Sequence, residues 1–345
     1  MKKLNMIIFL VIFVMVVCVG FSYAQEQKIL LANSFRDFVE EYWVLWSAGS
    51  ENAAKVLGCD YLPLSANSQE TKQIADLESA IARGVDGIEI QPVTTDTLTS
   101  MVNFCEEEEV WFVTMWDKPD ELLPKDYKYW AAHITMDDVR QGYVPGKVLF
   151  DALGGKGKVV AIGGLVGDSS ATNRYEGLKI ALKEYPGIEL LDYQIGDWSR
   201  VKGVSIMEDF LASYGDEIDG LWCACDDMAL GALEVIKSEG LAGGKIKIVG
   251  VDAIKEAVEN VIKGDMYATV SGDSWYMGGL GLVYLYNAVK GNILPEEEQI
   301  IMLELPVVYQ SNAEEYYQSV FVGERTIDWE KISEELVSKI QEVSK

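Results

Sequence analysis

The sequence predicts an α/β fold in two similar halves, each a parallel sheet covered by helices on both faces. Three observations predict it. The chain has 345 residues, more than a single hydrophobic core usually fills. Short β-rich runs alternate with helical stretches from Lys28 onward, the signature of βαβ units. The alternation then restarts after Ile134, and Gly84–Ile90 is echoed by Glu217–Cys223 in the same helix-end, Asp-Gly, strand form. Turns between helix and strand favour Asp-Gly in any case, so the echo supports duplication without proving it.

The elements follow in order. Lys2 and Lys3, the apolar run Met6–Val19 and the small residues of Ser22-Tyr23-Ala24 read as a cleaved export signal over residues 1–24, with Gln25 starting the mature chain. The run is shorter than the roughly 20 residues a membrane-spanning helix needs. A lipid-anchor reading through Cys18 is weakened by Val17, which stands where a small residue is wanted. Strands are predicted at Ile29–Ala32, Tyr61–Leu64, Gly87–Ile90, Trp111–Thr114 and Tyr129–Ile134, with helices at Glu40–Leu57, Glu70–Arg83 and Asp96–Glu107. In the second half, strands fall at Val159–Ile162, Leu190–Gln194, Gly220–Ala224, Ile246–Val251 and Tyr267–Val270. Helices there are Val139–Leu153, Thr172–Tyr185, Val201–Tyr214, Met228–Gly240 and Ile254–Lys263, and Asp328–Lys345 reads as a charged amphipathic tail helix. Only 8 prolines occur and no Pro- or Ser-rich linker separates the halves, so short crossings of continuous chain are expected to join them as a compact hinge.

Composition removes several functions. Basic residues total 29 against 55 acidic ones, and loss of Lys2 and Lys3 leaves the mature chain still more negative. Nucleic acid and anionic bilayers are therefore poor partners, because the protein's field repels both. The single histidine, His133, rules out a multi-histidine metal site; at the end of an apolar strand it reads as a core residue. Cys59, Cys105, Cys223 and Cys225 read as small buried hydrophobes, with a Cys59–Cys105 bridge as the alternative. Gly154–Lys158 lacks the spacing of a phosphate loop, and Gly163–Gly167 lacks the dinucleotide fingerprint. No cofactor and no metal are expected.

Ligands of open parallel sheets lie at the carboxyl ends of the strands. Those positions hold Ser34, Phe35, Tyr42, Trp43 and Trp46; then Trp116, Asp117, Lys118 and Pro119; then Asp137 and Asp138; the Gly163–Ser170 loop with Arg174; Asp197, Trp198 and Arg200; and Asp226, Asp227 and Asp252. Carboxylates accept from hydroxyls, arginine and lysine donate to sugar oxygens, and flat aromatic rings cover C–H faces. The set suits a neutral, polyhydroxylated small molecule. Asp138 and Asp227 fit equally well as helix N-caps, and at least one of Tyr42, Trp43 and Trp46 is expected in the core.

These residues resemble the type I periplasmic solute-binding proteins, in particular the ribose- and galactose-binding branch that serves ABC sugar importers. The resemblance spans roughly Ile29 to Tyr316 and is carried by Gly84–Ile88 with Gln91-Pro92-Val93, Val113–Lys118, His133-Ile134 with Asp137-Asp138, Arg174–Gly177, Asp197–Arg200, Asp226–Gly231 and Val249–Asp252. It implies two Rossmann-like, three-layer lobes joined by a three-crossing hinge, with residues 25–135 plus 272–304 in the first lobe and 136–271 plus 305–345, tail helix included, in the second. It also implies ligand-binding roles for Tyr42, Trp43, Asp117, Lys118, Arg174, Trp198, Asp226 and Asp252. Two positions depart from the family pattern: Cys225 replaces an asparagine and Gly272 a hinge glutamine, while residues 33–41 carry an insertion.

The function implied is an exported, monomeric, non-catalytic protein of the periplasm or extracytoplasmic space. It closes on a monosaccharide or sugar alcohol and delivers it to an ABC permease in the membrane. The alternative is a ligand-sensing receptor subunit for a chemoreceptor or histidine kinase. A carbohydrate-active enzyme built on Asp117 and Asp226 ranks below both, as does a repressor, since the export signal stands where a DNA-binding headpiece would be.

Overall fold

Two six-stranded sheets carry the chain, the first in the order β11-β5-β4-β3-β1-β2 and the second in the order β12-β10-β9-β8-β6-β7. The computed structural model describes residues 28–241, 243–303, 306–322 and 325–343, so the expected export segment lies outside the described residues. The first five strands are β1 (Leu30–Phe35), β2 (Asp60–Ser65), β3 (Gly87–Ile90), β4 (Trp111–Met115) and β5 (Trp130–Met136), with β11 (Ile300–Leu303) at the edge; all pair in parallel. The second sheet holds β6 (Lys156–Gly163), β7 (Gly187–Ile195), β8 (Gly220–Cys223), β9 (Lys247–Asp252) and β10 (Ala268–Ser271), with β12 (Val307–Tyr309) the one antiparallel strand. Two α/β layers of mostly parallel sheet are what the alternation of elements predicts.

Helices α1 (Glu41–Leu57), α2 (Glu70–Ala82) and α3 (Leu98–Glu107) connect the first strands. After β5 the chain moves to the second sheet through α4 (Asp138–Ala152), α5 (Ser169–Glu184), α6 (Arg200–Tyr214), α7 (Asp226–Ser238) and α8 (Lys255–Lys263). At Gly272 it returns, and α9 (Ser274–Val289) packs on α1 and on β3, β4 and β5. Between β11 and β12 it crosses again. Side chains one residue apart on β1 separate the cores: Leu31 faces the cluster under α1 and α9, whereas Ala32 faces the cluster under α2 and α3.

The helix α9 escaped the sequence reading because it shows no amphipathic stripe. A helix that is apolar all round belongs in an interior, and Gly278 lets it approach α1 closely: a methyl there would stand 2.3 Å from the Trp46 carbonyl oxygen. The edge strands β11 and β12 escaped because four and three residues are too few to show a period.

Two expectations are corrected. The terminal helices are α10 (Ala313–Phe321), packed on α8, and α11 (Trp329–Val343), packed on α9 and α1. The tail helix therefore lies on the first half, where its buried Trp329, Leu336 and Ile340 cover the apolar outer side of α9. Cys59 and Cys105 sit in the clusters on opposite faces of the first sheet, and both are free, as are Cys223 and Cys225; the Cys59–Cys105 bridge is excluded by the sheet between them.

Candidate functional site

The carboxyl ends of β1, β3 and β4 face those of β6 to β9 across a cleft lined from both halves, the place where ligands of open parallel sheets bind. Its lining includes Tyr42, Trp43, Asp117, Arg174, Trp198 and Asp252, six of the eight residues singled out from sequence. Three lining residues sit where non-glycine residues rarely do: Trp116 has φ 64°, Trp198 has φ 62° and Asp252 has φ 112°. Each lies at or just beyond a strand's carboxyl end, where this backbone turns the side chain toward the opposite half. Such conformations cost on the order of 1–3 kcal/mol each and persist where surrounding packing enforces them.

The aromatic residues divide by role. Trp116 donates from Nε1 to the Tyr42 hydroxyl at 2.9 Å, fixing both rings on the first half. Trp43 lies nearly parallel to Phe35, with centroids 6.5 Å apart, and donates to Glu40 at 3.0 Å. Trp46 is fully buried and belongs to the core. Between the halves, the Arg174 guanidinium lies 5.4 Å from the Trp116 ring and 5.3 Å from the Trp198 ring, a cation held between two indoles. Arg174 is placed by the close crossing of α4 and α5 at Gly142, where a methyl would stand 1.7 Å from the Arg174 carbonyl oxygen. Its side chain donates to the Ala224 carbonyl at 2.6 Å and to Gln141 at 3.1 Å.

Polar bonds stitch the two halves together. Arg36 Nη2 reaches Asp168 Oδ2 at 3.0 Å, and the same oxygen accepts from Trp198 Nε1 at 3.0 Å. Asp117 accepts from the Ser169 hydroxyl at 2.6 Å and from the Ser170 amide and hydroxyl at 2.8 and 2.9 Å. Ser169 N also donates to Thr95 Oγ1 at 2.9 Å. Burial raises the carboxyl of Asp117 to about 8, with Asp168 and Asp138 adding to it. Burial likewise raises Glu40 to about 8 and Asp252 to about 7, Arg36 opposing the first shift and Arg174 the second.

Two of the eight residues are not brought to the cleft. Asp226 is fully buried and spends its carboxylate on the Thr269 hydroxyl at 2.8 Å and the Ile254 amide at 3.1 Å, joining α7 to β10 and the loop before α8. Lys118 turns onto a neighbouring groove, with Thr95 and Ser169 on its wall, and donates to the Pro119 carbonyl at 3.2 Å. The cap positions also differ: Asp137 caps α4 by accepting from Arg140 N at 2.8 Å. Asp138 is instead buried against the Ser170 hydroxyl at 2.9 Å and Arg174 at 3.8 Å, and Asp227 is bonded to Arg200 at 3.2 Å.

The sequence reading missed Arg36, Glu40 and Gln91 as cleft residues, and held Asp168 only as part of the Gly163–Ser170 loop. Arg36 and Glu40 come from the irregular segment between β1 and α1, which has no periodicity to read, and whose only signal was the insertion itself. Gln91 was visible only as part of a motif, and Asp168 also carries the N-cap of α5. Gly272 makes room for a ring: a methyl there would lie 3.2 Å from Tyr42.

Among the described residues no group of three or more His, Cys, Asp or Glu side chains could hold a metal ion. His133 is buried in the first sheet, its Nδ1 2.8 Å from Thr114 Oγ1, and desolvation lowers it to about 3, so it is held neutral and outside the cleft lining. The site offers acceptors, two guanidinium groups and flat rings, groups that can hold a small polar molecule.

Comparison with known proteins bears on the family and the fold. The model of the periplasmic binding protein domain family matches residues 31–293. A xylitol-binding protein of Mycolicibacterium smegmatis is 29% identical over 269 residues, 77% of this chain and 73% of the relative. A ribose import binding protein of Haemophilus influenzae is 29% identical over 290 residues, 84% of this chain and 94% of the relative. Among solved structures, a twin-arginine translocation pathway signal protein from Burkholderia phytofirmans superposes with a TM-score of 0.84 at 31% identity, covering 88% of this chain and 96% of that one. An ABC transporter solute-binding protein from Mycobacterium smegmatis with bound glycerol gives 0.76 at 27% identity, covering 86% and 100%.

Proposed function

This chain belongs to the periplasmic binding protein family, and from that premise we propose that it captures a monosaccharide or sugar alcohol in the cleft between its two sheets and presents it to an ABC-type permease. The observation that carries the reading is the meeting of both halves on one cleft, with Trp116 and Trp198 contributed from opposite sides around Arg174. A ligand touching both surfaces only when they are apposed favours the apposed form, and this differential contact is the free-energy source for closure. Support for the ligand class comes from the lining chemistry and from relatives named for xylitol and ribose or holding glycerol.

In this reading Tyr42, Trp43, Trp116 and Trp198 supply the apolar walls. Arg36, Arg174, Gln91, Asp117 and Asp252 supply the polar contacts. The lobes comprise residues 25–135 plus 272–304 and 136–271 plus 305 onward, save that α11 belongs with the first, and the short crossings near residues 136, 272 and 304 act as the hinge. Residues 1–24 direct export and are removed, placing the monomeric mature protein in the periplasm or extracytoplasmic space. In this reading the protein binds without bond chemistry: His133, the single histidine of the sequence, stands outside the cleft lining.

The test is a thermal-shift screen of the mature protein against pentoses, hexoses and polyols, followed by calorimetry on the hits. Binding to the native state raises the melting temperature, by about 2.7 kcal/mol of added stability at a ligand concentration 100 times Kd. At least one such compound is expected to bind with one-to-one stoichiometry and no product. Turnover, or silence across the whole panel, would overturn the reading.

A further inference from the structure

We propose that the cleft selects an amine-bearing sugar or polyol over its neutral counterpart, with the ammonium seated between Glu40 of the first half and Asp227 and Asp252 of the second; this rests on the carbohydrate-binding reading above.

The cleft's indole donors are already committed: Trp116 to Tyr42, Trp43 to Glu40 and Trp198 to Asp168. The Ser170 hydroxyl is bonded to Asp117 and Asp138. An acceptor is what remains unspent. Gln91 lines the cleft and is 3% exposed; its Nε2 donates to the Pro92 carbonyl at 2.7 Å, and its buried Oε1 has no hydrogen-bond partner. A buried acceptor left unmet is costly, so the guest that completes this site is one rich in donors.

Charge then separates one donor from another. Arg36 is paired with Asp168 and Arg200 with Asp227, and Arg174 faces Asp138 and Asp252. Glu40 has the neutral Trp43 indole rather than a cation as its hydrogen-bond partner and lines the cleft together with Asp227 on α7 and Asp252 at the end of β9; burial opposes its ionisation most, Asp37, Asp227 and Asp252 add to that, and the Arg36 charge works against them. Apposing the halves thus brings carboxyl groups of the same sign together from both sides of the cleft. A hydroxyl leaves that repulsion in place, so a neutral guest requires protons to be taken up as the cleft closes. An ammonium group neutralises it and adds three donors.

The test is titration calorimetry of the mature protein at pH 7.5 with matched pairs: D-glucose and D-glucosamine, D-galactose and D-galactosamine, sorbitol and 1-amino-1-deoxysorbitol. Each pair is run in two buffers of different ionisation enthalpy, so that proton uptake is counted. At least one amine is expected to bind ten times or more tightly than its parent and to take up fewer protons, with the ratio falling toward one in Glu40→Gln. The proton count requires no variant and stands if Glu40→Gln folds poorly. Parents that bind as tightly as their amines, with the same proton count, would overturn the proposal and leave the carbohydrate reading intact. Absence of heat from every member of every pair, together with silence in the wider screen, would overturn both.

Discussion

Arg36 and Asp168 form a buried ion pair across the cleft, Nη2 to Oδ2 at 3.0 Å, although 132 residues separate them in sequence. Asp168 also accepts from Trp198 Nε1 and caps α5, so one carboxylate fixes a helix start, orients an aromatic wall and ties the halves together. Removing one partner of a buried pair strands the other and costs about 3–5 kcal/mol. Arg36→Ala is therefore expected to weaken ligand binding by roughly two to three decades through loss of the apposed form. Adding Asp168→Asn should recover part of that loss. Calorimetry on both variants checks this; unchanged affinity in Arg36→Ala would mean that the pair plays no part in closure.

Trp198→Ala is expected to lower affinity about tenfold or more, from lost ring contact and the lost cation–π neighbour of Arg174, and to lower the melting temperature as well, because the ring is buried. Arg174→Ala is expected to lower both quantities for a different reason: Arg174 also bonds Ala224 and Gln141 inside the second half. Calorimetry and thermal melting on the two variants check this; native affinity in either would remove that residue from the cleft wall.

A pH effect follows from the buried carboxyls. Glu40 and Asp117 are raised to about 8 and Asp252 to about 7, all above their ordinary range, so the folded protein holds these protons more tightly than the unfolded chain does. Their contribution is fully present below about pH 4, is lost progressively above the ordinary carboxyl range, and is gone above about pH 8. His133, lowered from 6.5 to about 3, acts oppositely, but only below about pH 6.5. The melting temperature of the ligand-free protein should therefore fall from pH 6.5 to about 8 and level off beyond it, and Glu40→Gln should flatten the slope. A rising melting temperature over that interval would contradict the assignment.

The strand-end rule carried the sequence reading far: Trp116, Asp117, Trp198 and Asp252 each lie at or just past a strand, and apolar runs of four to seven residues marked those strands plainly. Two kinds of information were not there to read. Side-chain direction decides between ligand and scaffold, and Asp226 and Asp252, both beside predicted strand ends, differ only in that Thr269 and Ile254 already occupy the first. Long-range partnership is the other. Nothing near Arg36 announces Asp168, and nothing in the amphipathic pattern of the tail says which half lacks a cover.

Gly142 offers a test of how the second half positions Arg174. A methyl at this position would stand 1.7 Å from the Arg174 carbonyl oxygen, so Gly142→Ala must push α4 and α5 apart. Overpacking of this kind costs about 1–3 kcal/mol, and the shift moves the guanidinium away from the two indoles. Lower stability in urea together with weaker binding is expected. A variant with native affinity would show that the crossing does not set the position of Arg174.

The tail helix gives the last prediction. Trp329 is fully buried, lies within 6 Å of both the Trp275 and Tyr276 rings, and donates to Asn52 Oδ1 on α1 at 2.9 Å. Truncating a buried tryptophan costs about 3–5 kcal/mol, so Trp329→Ala should destabilise the protein by that amount in urea unfolding. A double-mutant cycle with Asn52→Ala should return a coupling of about 1 kcal/mol, the usual net worth of one hydrogen bond. That coupling exists only if α11 is seated on the first half. A cycle that closes at zero while each single variant is destabilising would move the tail elsewhere and leave the apolar outer side of α9 without its cover.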